Sequence, residues 1–189
     1  MILDQPTSPN DNARRTPTKI VEAVRELFGG VISLDPCSDE QAQHSVRAEH
    51  YICPPNNGLT APWQGSVFCN PPGGLLKLPE CTPCKGTRTP GATSSVAVWW
   101  AKLLHEYEQG KVTQAVYVCF NLEAFRNTQK FAAKPCQAFP HCVPRERLEY
   151  PSSGEGRSNA PGGASAIVYL GQNNERFVEI FSRFGYVRV

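Results

Sequence analysis

At Asn70-Pro71-Pro72 an asparagine amide stands at the end of an apolar run, and two imino acids follow it. Pro72 pushes Pro71 into extended backbone, and both rings fix φ. The Pro71 carbonyl is thereby held in a nearly fixed direction beside the Asn70 amide oxygen, and neither proline offers an N–H. Two such acceptors suit an exocyclic –NH2 group, which has two hydrogens to give. With both hydrogens accepted, the nitrogen lone pair turns away from its conjugated ring and is available to attack an electrophile. The product ammonium is acidic enough to lose its proton afterwards, so no strong base is needed. The plain alternative is a turn that ends a strand, the commoner use of this tripeptide on its own.

Such groups act only if secondary structure brings them together. Thr16-Pro17 followed by Ile20, Val21, Val24, Leu27 and Phe28 at helical spacing predicts a helix. Thr16 reads as its cap, Pro17 as its first position and Gly29-Gly30 as its end. Short apolar runs predict strands over 31–35, 50–53, 66–70 and 114–120, the first three each stopped by proline, with a helix over 96–109 before the fourth. That succession is the grammar of an α/β domain with a largely parallel sheet. Segments 146–150 and 165–171 predict an antiparallel strand pair, and a helix over 174–184 and a strand over 185–189 finish the chain. The expectation is a polar, mobile tail over 1–15 and a single domain over 16–189, its sheet parallel in the middle and antiparallel at the C-terminal edge. Segment 73–95 is rich in Gly, Pro, Thr, Ser and Lys; loops of that length are usually functional or disordered.

In open α/β sheets ligands bind at the carboxyl ends of the strands. Asp35-Pro36, Pro54-Pro55-Asn56-Asn57-Gly58 and Asn70-Pro71-Pro72 fall on one such edge if their strands are parallel. Together, and in this order after Thr16-Pro17-x-x-Ile20-Val21, they resemble the DNA amino-methyltransferases, most closely the small phage-type adenine-N6 methyltransferases. Asn70-Pro71-Pro72 matches the first three positions of that family's Asp/Asn/Ser-Pro-Pro-aromatic signature. The resemblance implies a three-layer, Rossmann-like class I fold and S-adenosylmethionine as cofactor. It implies Thr16, Pro17, Asp35, Pro36 and Cys37 around the methionine part of that cofactor. Asn57-Gly58-Leu59, before Pro62-Trp63, is similar to the stretch that contacts the cofactor's adenine. Asn70, Pro71 and Pro72 would be catalytic, with DNA as substrate and its target base, adenine at N6, out of the helical stack. A cytosine amino group is the enzymatic alternative. A methyltransferase-like shell that binds nucleic acid without catalysis is the alternative from another class.

The chain departs from the family pattern twice. Gly73 stands where an aromatic would stack on the flipped base, leaving Trp99, Trp100 and Phe120 as candidate replacements. Cys37-Ser38-Asp39-Glu40 stands where a glycine-rich loop is expected, which leaves backbone amides at a helix start to serve instead.

Bulk composition sets limits on partners. With 189 residues and a net charge of +2, the chain has no overall basicity, so any nucleic-acid contact must come from a local patch. Lys77, Lys85, Arg88, Arg126, Lys130 and Lys134 are candidates, as is the Arg145-Glu146-Arg147 stretch; the ordinary reading is scattered solvated cations. No apolar run approaches the roughly 18–20 residues of a membrane span, and the polar N-terminal stretch lacks a signal peptide's apolar segment. The expectation is a cytoplasmic protein with no membrane partner, its DNA preference set by loops or by a second copy in a homodimer. Of the eight cysteines, Cys69 and Cys119 read as small buried hydrophobes. Cys81 and Cys84, with Cys136, His141 and Cys142, hold the elements of a zinc site, but their spacing is irregular. Free thiols and no metal are expected. On the helix before the fourth strand, one of Trp99 and Trp100 reads as core and the other as partly exposed, with His105 and Glu106 at the surface.

Overall fold

Parallel strands carry the motifs to one edge of one sheet. The structure is a computed structural model, and it describes residues 15–76, 93–130, 132–148 and 164–189. The helices are α1 (Thr18–Leu27), α2 (Glu40–Val46), α3 (Ser95–Glu108), α4 (Leu122–Asn127) and α5 (Asn174–Phe181). The strands are β1 (Leu34–Asp35), β2 (His50–Tyr51), β3 (Gly65–Cys69), β4 (Leu75–Leu76), β5 (Thr93–Ser94), β6 (Val112–Cys119), β7 (His141–Pro144), β8 (Ala166–Leu170) and β9 (Gly185–Arg188).

Seven of these strands form a sheet in the order β2-β1-β3-β6-β8-β7-β9, and β4 pairs with β5 apart from it. β2, β1, β3 and β6 run parallel. The pairings of β8 with β6, β7 with β8, and β9 with β7 are antiparallel. Alternation along each strand feeds two cores. Phe68, Val116 and Val118 pack on one face with Ile20, Val24, Phe177 and Phe181 of α1 and α5. Val67, Cys69, Ala115, Tyr117 and Cys119 pack on the other with Val96, Trp99, Trp100 and Leu103 of α3. Burial on both faces explains why β3 and β6 read as nearly unbroken apolar runs. The result is an α/β architecture with helices on both sides of a mixed sheet, compatible with a Rossmann-like fold. Among the described residues, no helix is long and apolar enough to cross a membrane.

The antiparallel part differs from the sequence expectation in its pairing. The partner of β8 is β7, His141–Pro144, rather than 146–150. The proline and histidine in β7 hide its alternation, yet Cys142 is fully buried between β8 and β9. Positions 145–148 are irregular, and 149–150 lie outside the described residues. Two helices had no sequence signal of comparable strength, α2 directly after β1 and α4 directly after β6. Both are started by side chains: Asp39 accepts from the Ala42 N–H at 2.6 Å, and Asn121 from the Ala124 N–H at 2.7 Å.

Helix α3 also corrects two expectations. Trp99 and Trp100 are both in the core, Trp99 stacked on Trp63 at 5.9 Å and Trp100 edge-on to Tyr117 and Phe139. Glu106 is buried rather than exposed, because Lys102 and Lys111 reach in to pair with its carboxylate. The ends of the 73–95 segment are pinned by the β4–β5 pairing, while 77–92 lie outside the described residues, as do tail positions 1–14.

Candidate active site at the carboxyl edge of the sheet

Parallel pairing puts the carboxyl ends of β1, β2 and β3 side by side, as the three proline-stopped motifs require. Contact between them is direct. Cys37 Sγ, two residues past β1, lies 3.7 Å from Cys69 Sγ, the last residue of β3. Burial pushes the Cys37 thiol up, and the Cys69 thiol adds to it, while the Asn70 backbone N–H beside it acts the other way. The Asp-Pro-Cys and Asn-Pro-Pro segments therefore touch. From the second strand end, the Gly58 backbone lies so close to Pro36 that a Cβ there would overlap the Pro36 carbonyl oxygen. The Ile52 N–H donates to Asp35 O at 2.9 Å, and the Ser38 N–H to Ile52 O at 3.0 Å, lacing the first two strand ends together.

Asp35 sits at the centre of this junction and is only 3% exposed. Gln43 Nε2 donates to its Oδ2 at 3.0 Å, and the Cys37 N–H to its Oδ1 at 3.4 Å. Burial outweighs these hydrogen bonds and raises its pKa to about 7. Gln43 is a site residue that no motif announced; α2 places it there, one helical turn after the Asp39 cap. Where a glycine-rich loop was expected, the start of α2 is capped by the chain's own Asp39, which takes the Ala42 N–H.

Thr16 departs from its expected role in an informative way. Helix α1 starts at Thr18, Pro17 is extended at the cap position, and no side chain caps the helix. Thr16 is 6% exposed, and its Oγ1 has no hydrogen-bond partner among the described residues. Arg15, assigned from sequence to the tail, is half-buried and donates to Gln41 Oε1 at 2.6 Å, which holds Thr16 beside the segment that follows β1. Ser95 Oγ and Trp99 Nε1 are also buried without partners among the described residues, as are Asn127 Oδ1 and Gln137 Oε1 elsewhere in the fold. The Ser95 N–H donates to Gly74 O at 3.0 Å, and Trp99 Cη2 lies where Gly58 would need space. An unmet buried donor or acceptor costs about 1–3 kcal/mol.

Asn57 anchors the second segment: its Oδ1 accepts from the Leu59 N–H at 2.9 Å, and Trp63 Nε1 donates to Gly58 O at 2.8 Å. At the third, Pro71 is buried, while Asn70, Pro72 and Gly73 are half-buried. The candidate aromatics separate clearly. Trp99 and Trp100 are within the core, whereas Phe120, the residue after β6, is half-buried with its ring against Gly73.

The remaining chemistry-bearing side chains do not join this site. Cys136 and Cys142 lie in the two cores on opposite faces of the sheet. His141 Nδ1 is 2.8 Å from Phe139 O, and among the described residues no three His, Cys, Asp or Glu side chains gather as metal ligands would. Cys81, Cys84, Lys77, Lys85 and Arg88 lie outside the described residues. Arg126 pairs with Glu123, and Lys134 with Glu108.

No protein-family model matches this chain, and no curated protein matches it.

Proposed function

We propose that the chain is a class I S-adenosylmethionine-dependent methyltransferase that methylates an exocyclic amine of DNA, with adenine N6 the best-fitting target. The observation that carries this reading is the contact between the Asp35-Pro36-Cys37 and Asn70-Pro71-Pro72 segments across the 3.7 Å approach of Cys37 and Cys69. It sets a buried carboxylate beside a pair of amine acceptors on the ligand-binding edge of a largely parallel sheet.

The residues fit the cofactor chemically. Asp35 offers a buried carboxylate to a cationic group, and Thr16 offers a hydroxyl that the fold leaves unused. Pro17, Pro36 and Cys37 wall this end, and Asn57 holds the adenine-side segment in shape through its bond to the Leu59 N–H. When bound, S-adenosylmethionine supplies a methyl group on a positively charged sulfur. The chain's own work is to orient the acceptor. Asn70 Oδ1 and the Pro71 carbonyl accept the two amine hydrogens, and Pro72 fixes the direction of that carbonyl. The lone pair so exposed faces the cofactor side, and the proton leaves afterwards to solvent. Phe120 supplies the flat surface against which the target ring rests, in the place that Gly73 vacates.

Calorimetric titration with S-adenosylmethionine tests the first half of the reading. Saturable binding, lost in Asp35→Ala, is expected. No heat at millimolar cofactor would leave a nucleic-acid-binding shell without catalysis. Digestion of methylated DNA to nucleosides then identifies the base, N6-methyl-2′-deoxyadenosine being expected over N4-methyl-2′-deoxycytidine.

A further inference from the structure

Three cations from three elements meet on the same rim, away from Asn70. Lys19 stands in the first turn of α1, Arg145 directly after β7, and Arg183 two residues past α5; they line one pocket of about 130 Å³. β7 runs parallel to β6, because each is antiparallel to β8, so the Pro144 end of β7 faces the same edge as Asn70.

The fold holds the two arginines in place, and Arg183 is already ion-paired with Glu26. Arg145 Nη2 donates to Ser182 O at 3.1 Å and its backbone N–H to Phe184 O at 2.9 Å, which fixes the side chain across the pocket. Arg183 Nε donates to Ile180 O at 2.8 Å and Nη2 to Glu26 Oε2 at 2.5 Å. Lys19 has no ion pair or hydrogen bond from its ammonium among the described residues, and the first turn of α1 has neither an acid nor a side-chain cap. Glu146 lines the pocket and Glu26 neutralises Arg183 from beside it, which leaves Lys19 and Arg145 against one carboxylate. The rest of the lining is apolar, with Leu148 buried beneath it. An excess of positive charge over an apolar floor suits a phosphodiester and its sugar better than a free multiply charged anion.

We propose that this pocket binds a backbone phosphate of nucleic acid. The proposal rests on the reading of the Asn70 edge as the place where a DNA amine is presented. From β3 to β7 is three strand spacings, about 14 Å at roughly 4.8 Å each. At 3.4 Å per base step that is about four steps along one strand of duplex. A contact there sets the register of DNA on the protein without reading a base.

The test is fluorescence anisotropy of a labelled, unmethylated DNA duplex titrated over a range of salt, with no cofactor present. Lys19→Gln and Arg145→Gln are each expected to weaken binding several-fold and to lower the slope of log affinity against log salt by about one. Arg145→Lys keeps most of the affinity. Arg188→Gln, at the opposite end of β7's pairing with β9, leaves both affinity and slope unchanged. Wild-type affinity and slope in Lys19→Gln and Arg145→Gln overturn the proposal, as does an equal loss in Arg188→Gln or the absence of binding by the wild-type protein. Because methyl transfer is not involved, a protein that binds DNA through this pocket but transfers no methyl group would sink the enzyme reading alone.

Discussion

The ring of Phe120 fills the space that a side chain on Gly73 would need: a Cβ at position 73 would stand 3.1 Å from Phe120 Cζ and 3.4 Å from Cε1. Glycine after Pro-Pro and phenylalanine after β6 are thus one arrangement, with the ring supplied from the neighbouring strand. Stacking against a base is worth about 1–3 kcal/mol, so Phe120→Ala is expected to lower kcat/KM for methyl transfer roughly tenfold or more. Phe120→Tyr keeps the activity and Phe120→Leu does not. If leucine serves as well as tyrosine, Phe120 is packing and not a platform.

Asp35 makes stability depend on pH in a direction opposite to a paired surface carboxylate. Burial first, against the hydrogen bonds of Ser38, Cys37 and Gln43, raises its pKa in the fold to about 7 from 3.8. Between those values the folded state holds the proton and the unfolded state has lost it, so stability falls as pH rises, by about 1.4 kcal/mol per unit. Below the lower value the contribution is complete, and above pH 7 it is gone. Denaturant unfolding at pH 5 and pH 8 is expected to show Asp35→Asn gaining on the wild type at the higher pH. A cationic ligand needs the ionised form, so S-adenosylmethionine binding strengthens through pH 7 and then levels off. Binding that is flat across this range would remove Asp35 from the contact.

Thr16 should be a residue the fold is better without. Its buried hydroxyl meets no partner among the described residues, and Thr16→Val keeps the shape while removing a group whose desolvation costs about 1–3 kcal/mol. The melting temperature of the ligand-free protein is expected to hold or rise, while calorimetric affinity for S-adenosylmethionine drops. A fall in both would mark Thr16 as structural.

Gly58 joins the second strand end to the first. An alanine there would overlap the Pro36 carbonyl oxygen and come 2.7 Å from Trp99 Cη2. Neither backbone nor a fully buried indole can yield cheaply, so Gly58→Ala is expected to cost about 3 kcal/mol of unfolding free energy. Gly74→Ala provides the contrast: nothing stands within 4 Å of its Cβ, but its φ is +91°, so backbone strain alone is felt there, about 1 kcal/mol.

Much of this edge was legible because prolines and buried apolar runs write themselves plainly into sequence. Asp35-Pro36 and Asn70-Pro71-Pro72 each end a parallel strand, as their spacing predicts, Asn57-Gly58 lies in the loop after β2, and the Ile20, Val21, Val24 and Leu27 face of α1 is in the core. What escaped depends on tertiary neighbours. β7 contains Pro144 and exposes part of His141 and Val143, so only its partners β8 and β9 make it a strand. Glu106 is buried because Lys111, beyond the end of α3, folds back onto it. Thr16 looks like a helix cap in sequence, and only the extended backbone of Pro17 shows that the helix begins without it. Gln43 and Ser95 carry no local pattern; a helix start delivers each to the edge.

The most direct test of the central claim is transfer of labelled methyl from S-adenosylmethionine to unmethylated DNA by wild type, Asn70→Asp and Asn70→Ala. The account predicts transfer by the wild type, reduced but measurable transfer by the aspartate variant, which keeps an acceptor oxygen, and none by the alanine variant at unchanged cofactor affinity. Equal transfer by wild type and Asn70→Ala would contradict it.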